Sequence, residues 1–135
     1  MKISCGIDII EVNRVKECIE SLGEKFLNKI FTPLEIEYCN SKGQMKYQHF
    51  AARFAAKEAI FKAMSDLLED KYEIGWTDVE ILNDEKGKPY VHFLNKSYPT
   101  IEQIDISLSH LKEYAVANCV INYRELFGTG AFSSW

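Results

Sequence analysis

A chain of 135 residues with 47% hydrophobic and 27% charged residues is expected to form one domain with a sizeable core, and its composition excludes a disordered chain. The formal net charge of −4 argues against general nucleic-acid binding, which asks for a basic surface. The apolar runs are too short to span a bilayer, and Met1-Lys2-Ile3-Ser4-Cys5 passes quickly to Asp8 and Glu11, unlike a secretory leader, so a cytosolic protein with no membrane partner is expected.

In chain order, Ile3, Cys5, Ile7 and Ile9 alternate with Ser4, Gly6 and Asp8, the period of a strand that ends near Ile10. The mixed-charge segment 11–30 reads as helix broken at Gly23. Thr32-Pro33-Leu34-Glu35 is a helix start, with Thr as N-cap, Pro at the first helical position and Glu at the third. That short helix should end within residues 40–43. Residues 45–68 contain no Gly or Pro and are rich in Ala, Lys, Glu and Phe, so one long helix is expected. Phe50, Phe54, Phe61 and Leu68 fall on one side and Ala52, Ala56, Ala59 and Ala63 on the other, the mark of a central, buried helix.

A polar loop over 69–75 leads into a strand pattern: Val79 and Ile81 alternate with Asp78 and Glu80, a turn spans 83–89, and Tyr90-Val91-His92-Phe93 returns. A short helix is expected around 97–103. Residues 104–110 alternate as a strand. After a turn at Lys112-Glu113, residues 114–121 are apolar except at Asn118, which suits a strand covered on both faces. Residues 122–135 carry two glycines and two serines and read as a C-terminal tail on a domain of residues 1–121. The expected fold is α+β, one long buried helix packed on a small, mostly antiparallel sheet.

Two acids stand in apolar settings: Asp8 between Ile7 and Ile9, and Glu58 between Lys57 and Ala59. An ionised carboxylate there needs a cation, either a basic side chain or a metal. Glu58 and Lys62 share a helical face with Ala51 and Ala55, whose small side chains leave room to approach the backbone. Each feature also has a plain reading. Glu58 and Lys62 make an ordinary helix ion pair, Asp8 satisfies nearby backbone N–H groups, and His110 ends a strand at the solvent edge. Residues 83–89 are then a mere hairpin turn, and Arg53 and Lys57 are snorkelling cations. The four scattered cysteines (Cys5, Cys18, Cys39, Cys119) form no C-x-x-C pair, so neither a zinc site nor a disulfide framework is expected.

Order and spacing add what the single residues lack. Gly6-Ile7-Asp8-Ile9-Ile10-Glu11, Phe31-Thr32-Pro33-Leu34-Glu35, Arg53-Phe54-Ala55-Ala56-Lys57-Glu58-Ala59, Asn83-Asp84 with Gly87-Lys88-Pro89, and Ile106-Ser107-Leu108-Ser109-His110 together resemble the bacterial holo-acyl-carrier-protein synthases. These are the short class of 4′-phosphopantetheinyl transferases, and the resemblance runs over residues 3–121. It implies transfer of the 4′-phosphopantetheine group from coenzyme A to a serine of apo acyl carrier protein, giving 3′,5′-ADP and supporting fatty acid biosynthesis.

By the same resemblance, Asp8 and Glu58 bind magnesium, which takes few protein carboxylates alongside phosphate oxygens and water. Asp8, directly or through a metal-bound water, takes the serine proton, and Lys62 neutralises the leaving diphosphate. Ser109, His110, Arg53 and His49 contact the 3′-phosphate of coenzyme A; Asn83, Gly87, Lys88 and Pro89 lie against its adenosine. Arg14 meets the acidic carrier protein, with Lys16, Lys25 and Lys29 nearby. A homotrimer with active sites between subunits is also implied. The sequence departs from the family where many members read S-K-A-L-G, since here the run is Phe61-Lys62-Ala63-Met64-Ser65-Asp66. A non-catalytic scaffold that binds coenzyme A would not need both acids and the lysine. The broad-specificity transferases are usually doubled by internal duplication, and this chain has no repeat.

Overall fold

A computed structural model describes residues 1–70 and 72–125. Strand β1 (Lys2–Glu11) leads into helices α1 (Val12–Leu22), α2 (Glu24–Ile30) and α3 (Pro33–Asn40), and then into the central α4 (Lys46–Ala63). A hairpin of β2 (Val79–Asn83) and β3 (Pro89–Phe93) follows, and β4 (Ile101–His110) and β5 (Tyr114–Tyr123) close the fold. The main sheet is antiparallel in the order β1-β5-β4, while β2 and β3 form a separate two-stranded sheet. No helix among the described residues is long and apolar enough to cross a membrane.

Local chemistry accounts for most boundaries. Gly23, at φ 60°, separates α1 from α2, a conformation that glycine adopts without steric cost. Thr32 caps α3 in a full capping box: its hydroxyl accepts from the Glu35 N–H, and the Glu35 carboxylate accepts from the Thr32 N–H at 2.8 Å. Helix α4 is buried along Ala51, Ala52, Ala55, Ala56, Ala59 and Ala63, which lets neighbouring backbones approach closely. One core cluster, including Ile60, Ile81, Ile106 and Ile121, fills the space between α4 and the sheets. A second, with Val15, Ile30, Phe31 and Phe50, joins the first three helices to the N-terminal half of α4.

Two expectations need correction. Helix α4 stops at Ala63 and residues 64–67 form turns, with the Leu67 N–H bonded to Met64 O at 2.8 Å. Ser65 and Asp66 are poor helix formers, and Leu67 and Leu68 pack on the core from the turn rather than from a helix. No helix forms at 97–103; β4 begins at Ile101 and bulges between Ile101 and Gln103. Pro99 disfavours helical backbone at Tyr98, and Ile101 and Ile104 pack on the core from the strand.

Within the single chain β5 is covered on one face. Ala115, Ala117, Cys119, Ile121 and Tyr123 are buried, while Val116, Asn118 and Val120 are not. Beside them on β1, in register with Asn122, Asn118 and Val116, stand Ile3, Ile7 and Ile9, exposed at 72%, 64% and 65%. The apolar run suits two covers, and α4 supplies one. Strand β5 itself continues through Tyr123, and most of the expected tail lies outside the described residues.

Candidate active site

Strand β1 crosses α4 where both are slimmest. A Cβ at Gly6 would sit 2.1 Å from Ala59 O and 2.9 Å from Lys62 Cβ, so only glycine fits this crossing. The Ser4 hydroxyl pins the same contact, donating to Ala63 O at 2.6 Å. Residues alternate faces along a strand, so Asp8 emerges on the side of Ser4 and Gly6, against α4.

There the Lys62 ammonium lies 3.3 Å from Asp8 Oδ1 and donates to Ile7 O at 2.9 Å. The plain helix pair with Glu58 is therefore not the contact Lys62 makes; it reaches across to the strand. Burial raises the Glu58 pKa, the Asp8 charge raises it further, and Lys62 partly opposes both. Two carboxylates facing one lysine give the group hard oxygen donors of the kind that could hold a divalent cation or take up a proton. Among the described residues no group of three or more His, Cys, Asp or Glu is placed to hold a metal. Lys62 is 54% exposed against 18% for Asp8.

A second group gathers around Arg53, which is 2% exposed. Its Nη2 donates to Asn83 Oδ1 at 2.5 Å, its guanidinium lies 4.1 Å from the Tyr38 ring centroid, and its Nε is buried with no hydrogen-bond partner. Asn83 in turn donates to Gly87 O at 3.0 Å, bracing a turn in which Gly87 takes φ 85°. The turn hands over to Pro89 at the start of β3, and Lys88 pairs with Asp105 at 2.9 Å.

The His49 ring stands 5.1 Å from that of His110, whose Nδ1 is 2.9 Å from Gln48 Oε1. Burial first, then His110, Lys42 and Arg53, push the His49 pKa down to about 4. Ser109 is exposed one residue before His110 on β4. Arg14 is exposed on α1, and among the described residues no hydrogen bond or ion pair ties it to either group.

The two groups lie on opposite flanks of α4. Five residues separate Arg53 from Glu58, which at 3.6 residues per turn sets their side chains roughly 140° apart. Glu58 and Lys62 look toward β1, and Arg53 looks toward β2. One chain therefore does not bring all the sequence-predicted residues into one pocket.

Lys57 departs furthest from its expected role. It does not snorkel: it is fully buried, and its ammonium donates to Glu35 Oε1 at 2.7 Å, Ile30 O at 2.8 Å and Trp76 O at 2.9 Å. Burial lowers its pKa, and Glu35 pulls the other way. The capping box signals Glu35, but nothing in the local sequence signals that Lys57 is its partner. The residues in place of S-K-A-L-G do no harm to the helix end. Met64 closes α4 at φ −86°, ψ −3°, a right-handed conformation that needs no glycine.

The model of the ACPS family, described as the 4′-phosphopantetheinyl transferase superfamily, matches residues 4–119. The chain belongs to this superfamily. A holo-[acyl-carrier-protein] synthase of Ruminiclostridium cellulolyticum is 45% identical over 132 residues, covering 94% of this chain and 97% of the relative. Another from Halothermothrix orenii is 40% identical over 83% of this chain and 90% of its own.

Among solved structures, the holo-(acyl-carrier-protein) synthase of Bacillus anthracis in complex with CoA (3′,5′-ADP) matches with TM-score 0.73 and 34% identity, over 90% of this chain and 96% of that one. The Helicobacter pylori synthase in complex with coenzyme A matches with TM-score 0.75 and 29% identity, over 87% and 99%. The chain is thus a phosphopantetheinyl transferase of α+β fold, the family that its motifs resemble.

Proposed function

We propose that this transferase moves 4′-phosphopantetheine from coenzyme A to a serine of an acyl carrier protein in the cytoplasm, supporting fatty acid biosynthesis. The observation that carries the reading is the Asp8–Glu58–Lys62 group at the Gly6 crossing, in a chain whose relatives are holo-[acyl-carrier-protein] synthases. The coenzyme A complexes of two structural relatives support the donor.

The acid pair fits magnesium: two hard carboxylate donors crowd each other, with a single lysine set against them. Asp8 and Glu58 would hold the ion, which when bound neutralises charge on the diphosphate. The chain's own groups do the rest. Asp8 takes the proton of the carrier serine, directly or through a water. The serine oxygen bonds to the β-phosphorus, the bond from that phosphorus to the bridging oxygen breaks, and 3′,5′-ADP departs with the electron pair. Lys62, beside Asp8, sets its point charge against the 5′-phosphate of the departing 3′,5′-ADP.

The Arg53 group suits the other end of coenzyme A. A buried guanidinium with an unpartnered Nε, beside His49, His110 and Ser109, offers donors to the 3′-phosphate. Asn83, Gly87, Lys88 and Pro89 border the adenosine. Because the groups sit on opposite flanks of α4, a homotrimer in which one subunit's acids meet a neighbour's Arg53 group completes the site. The bare Ile3, Ile7 and Ile9 face supports such an assembly. Arg14 on the exposed side of α1 meets the acidic docking helix of the carrier.

The test is incubation with coenzyme A, magnesium and an apo carrier, followed by the mass of the carrier. The expected outcome is a gain of one phosphopantetheine group that disappears when the metal is chelated. A carrier panel with no mass gain overturns the reading in favour of a non-catalytic scaffold.

A further inference from the structure

The catalytic scheme above uses neither Glu35 nor Lys57, yet both are charged and 0% exposed. Stability alone does not account for such a pair, because apolar residues of similar volume often serve as well. What apolar residues cannot supply is direction. Glu35 Oε1 accepts from Lys57 at 2.7 Å and from the Thr32 N–H at 2.8 Å, while Oε2 accepts from the Ile81 N–H at 2.7 Å. The carboxylate thus joins the N-terminus of α3, the middle of α4 and the backbone of β2.

Its place in the fold gives this junction a function. Arg53 lies one turn before Lys57 on α4, and Asn83 lies two residues after Ile81 on β2. The bond from Arg53 to Asn83, at 2.5 Å, is therefore a second rung between the same two elements. We propose that Glu35 and Lys57 are positioning residues that set the spacing of α4 and β2, and so hold Arg53 and Asn83 in register to grip the nucleotide end of coenzyme A. The inference rests on the coenzyme A reading and deepens it. It also divides the labour of α4: the face toward β1 serves chemistry, and the face toward β2 serves nucleotide binding.

The experiment compares wild type with the double variant Glu35→Leu, Lys57→Met, which leaves no charge unpaired in the core. Calorimetry with 3′,5′-ADP reads the subsite directly, and steady-state transfer separates KM for coenzyme A from kcat. Loss of register should weaken 3′,5′-ADP binding and raise KM by roughly tenfold or more, as displacements remote from the chemistry can. At saturating coenzyme A, kcat should stay within about threefold of wild type, since binding and not the chemical step is altered.

Unchanged affinity and KM in the folded variant would make the pair core filling and overturn the inference. So would a fall in kcat at constant KM. If the double variant does not fold, Glu35→Asp keeps the charge, shortens the reach, and decides by the same split. A wild-type protein that neither binds 3′,5′-ADP nor transfers the group overturns the coenzyme A reading and this inference together. An active wild type whose variants keep its KM overturns the inference alone.

Discussion

At position 58 the protein keeps a carboxylate where burial and Asp8 both raise its pKa, with Lys62 opposing them in part. An acid with a raised folded-state pKa binds more protons folded than unfolded, so stability falls as pH rises above the unfolded value of about 4.3. Glu58→Gln is therefore expected to match or exceed the wild-type Tm at pH 7 while transfer activity falls to background. The Tm gap should close below about pH 4, where wild-type Glu58 is itself neutral. A variant that melts below wild type at pH 7 would mark Glu58 as structural.

Lys62 has a different part in the scheme, and truncating it to Ala should cost about 3 kcal/mol of transition-state stabilisation. Steady-state turnover checks this, and unchanged kcat would remove Lys62 from the chemistry.

His49 shifts in the opposite direction. With its pKa pushed down to about 4, it is neutral at pH 6 in the free protein, and its folding contribution weakens as pH falls through the usual histidine range. A phosphate placed beside it raises that pKa, so binding of 3′,5′-ADP near pH 5 to 6 should take up a proton. Calorimetry in buffers of different ionisation enthalpy measures the uptake, and His49→Gln should reduce it. An identical uptake in that variant would take the phosphate away from His49.

Among the elements, the crossing of β1 over α4 decides most. Gly6→Ala would drive a Cβ into Ala59 O, and relief by backbone shift costs about 1–3 kcal/mol, as overpacking does. Asp8, two residues along, would move with the strand, so denaturant unfolding and transfer activity should fall together. Full activity in the variant would separate the crossing from the site.

At this scale, the strand containing Asp8, the break at Gly23, the Thr32 cap and the β2–β3 hairpin were legible because each rests on local rules of period, capping or turn chemistry. The tail of α4 was not, since Leu67 and Leu68 continue an apolar pattern that the chain satisfies from a turn. The stretch 97–103 failed likewise, its strand being selected by pairing with β5. Lys57, three residues after Phe54 in sequence, looks like a surface cation until Glu35, Ile30 and Trp76 close around it.

For the whole molecule, the bare face of the main sheet is the unresolved surface of a single chain. Cys5 stands on it between Ile3 and Ile7, exposed like them. If copies cover this face, Ile7→Asp should convert the assembly to monomers in size-exclusion chromatography with light scattering. Activity should drop with it, because the acid group and the Arg53 group then no longer meet. Maleimide labelling gives a second readout, with Cys5 slow to react in the native protein and fast in the variant. A native protein that elutes as an active monomer overturns the shared-site arrangement.

By itself the sequence determined the family, the α+β class and most elements, and it singled out Asp8 and Glu58 as candidates. Those depend on the order of short motifs and on periodicities that the chain carries locally. Three things were decided only by tertiary structure: that Lys62 reaches Asp8 rather than Glu58, that Lys57 is buried against Glu35, and that the proposed site residues divide across α4. Each depends on which face of the helix meets which strand. That is a matter of close packing at Gly6 and of hydrogen bonds between residues far apart in the chain, and no local pattern encodes it.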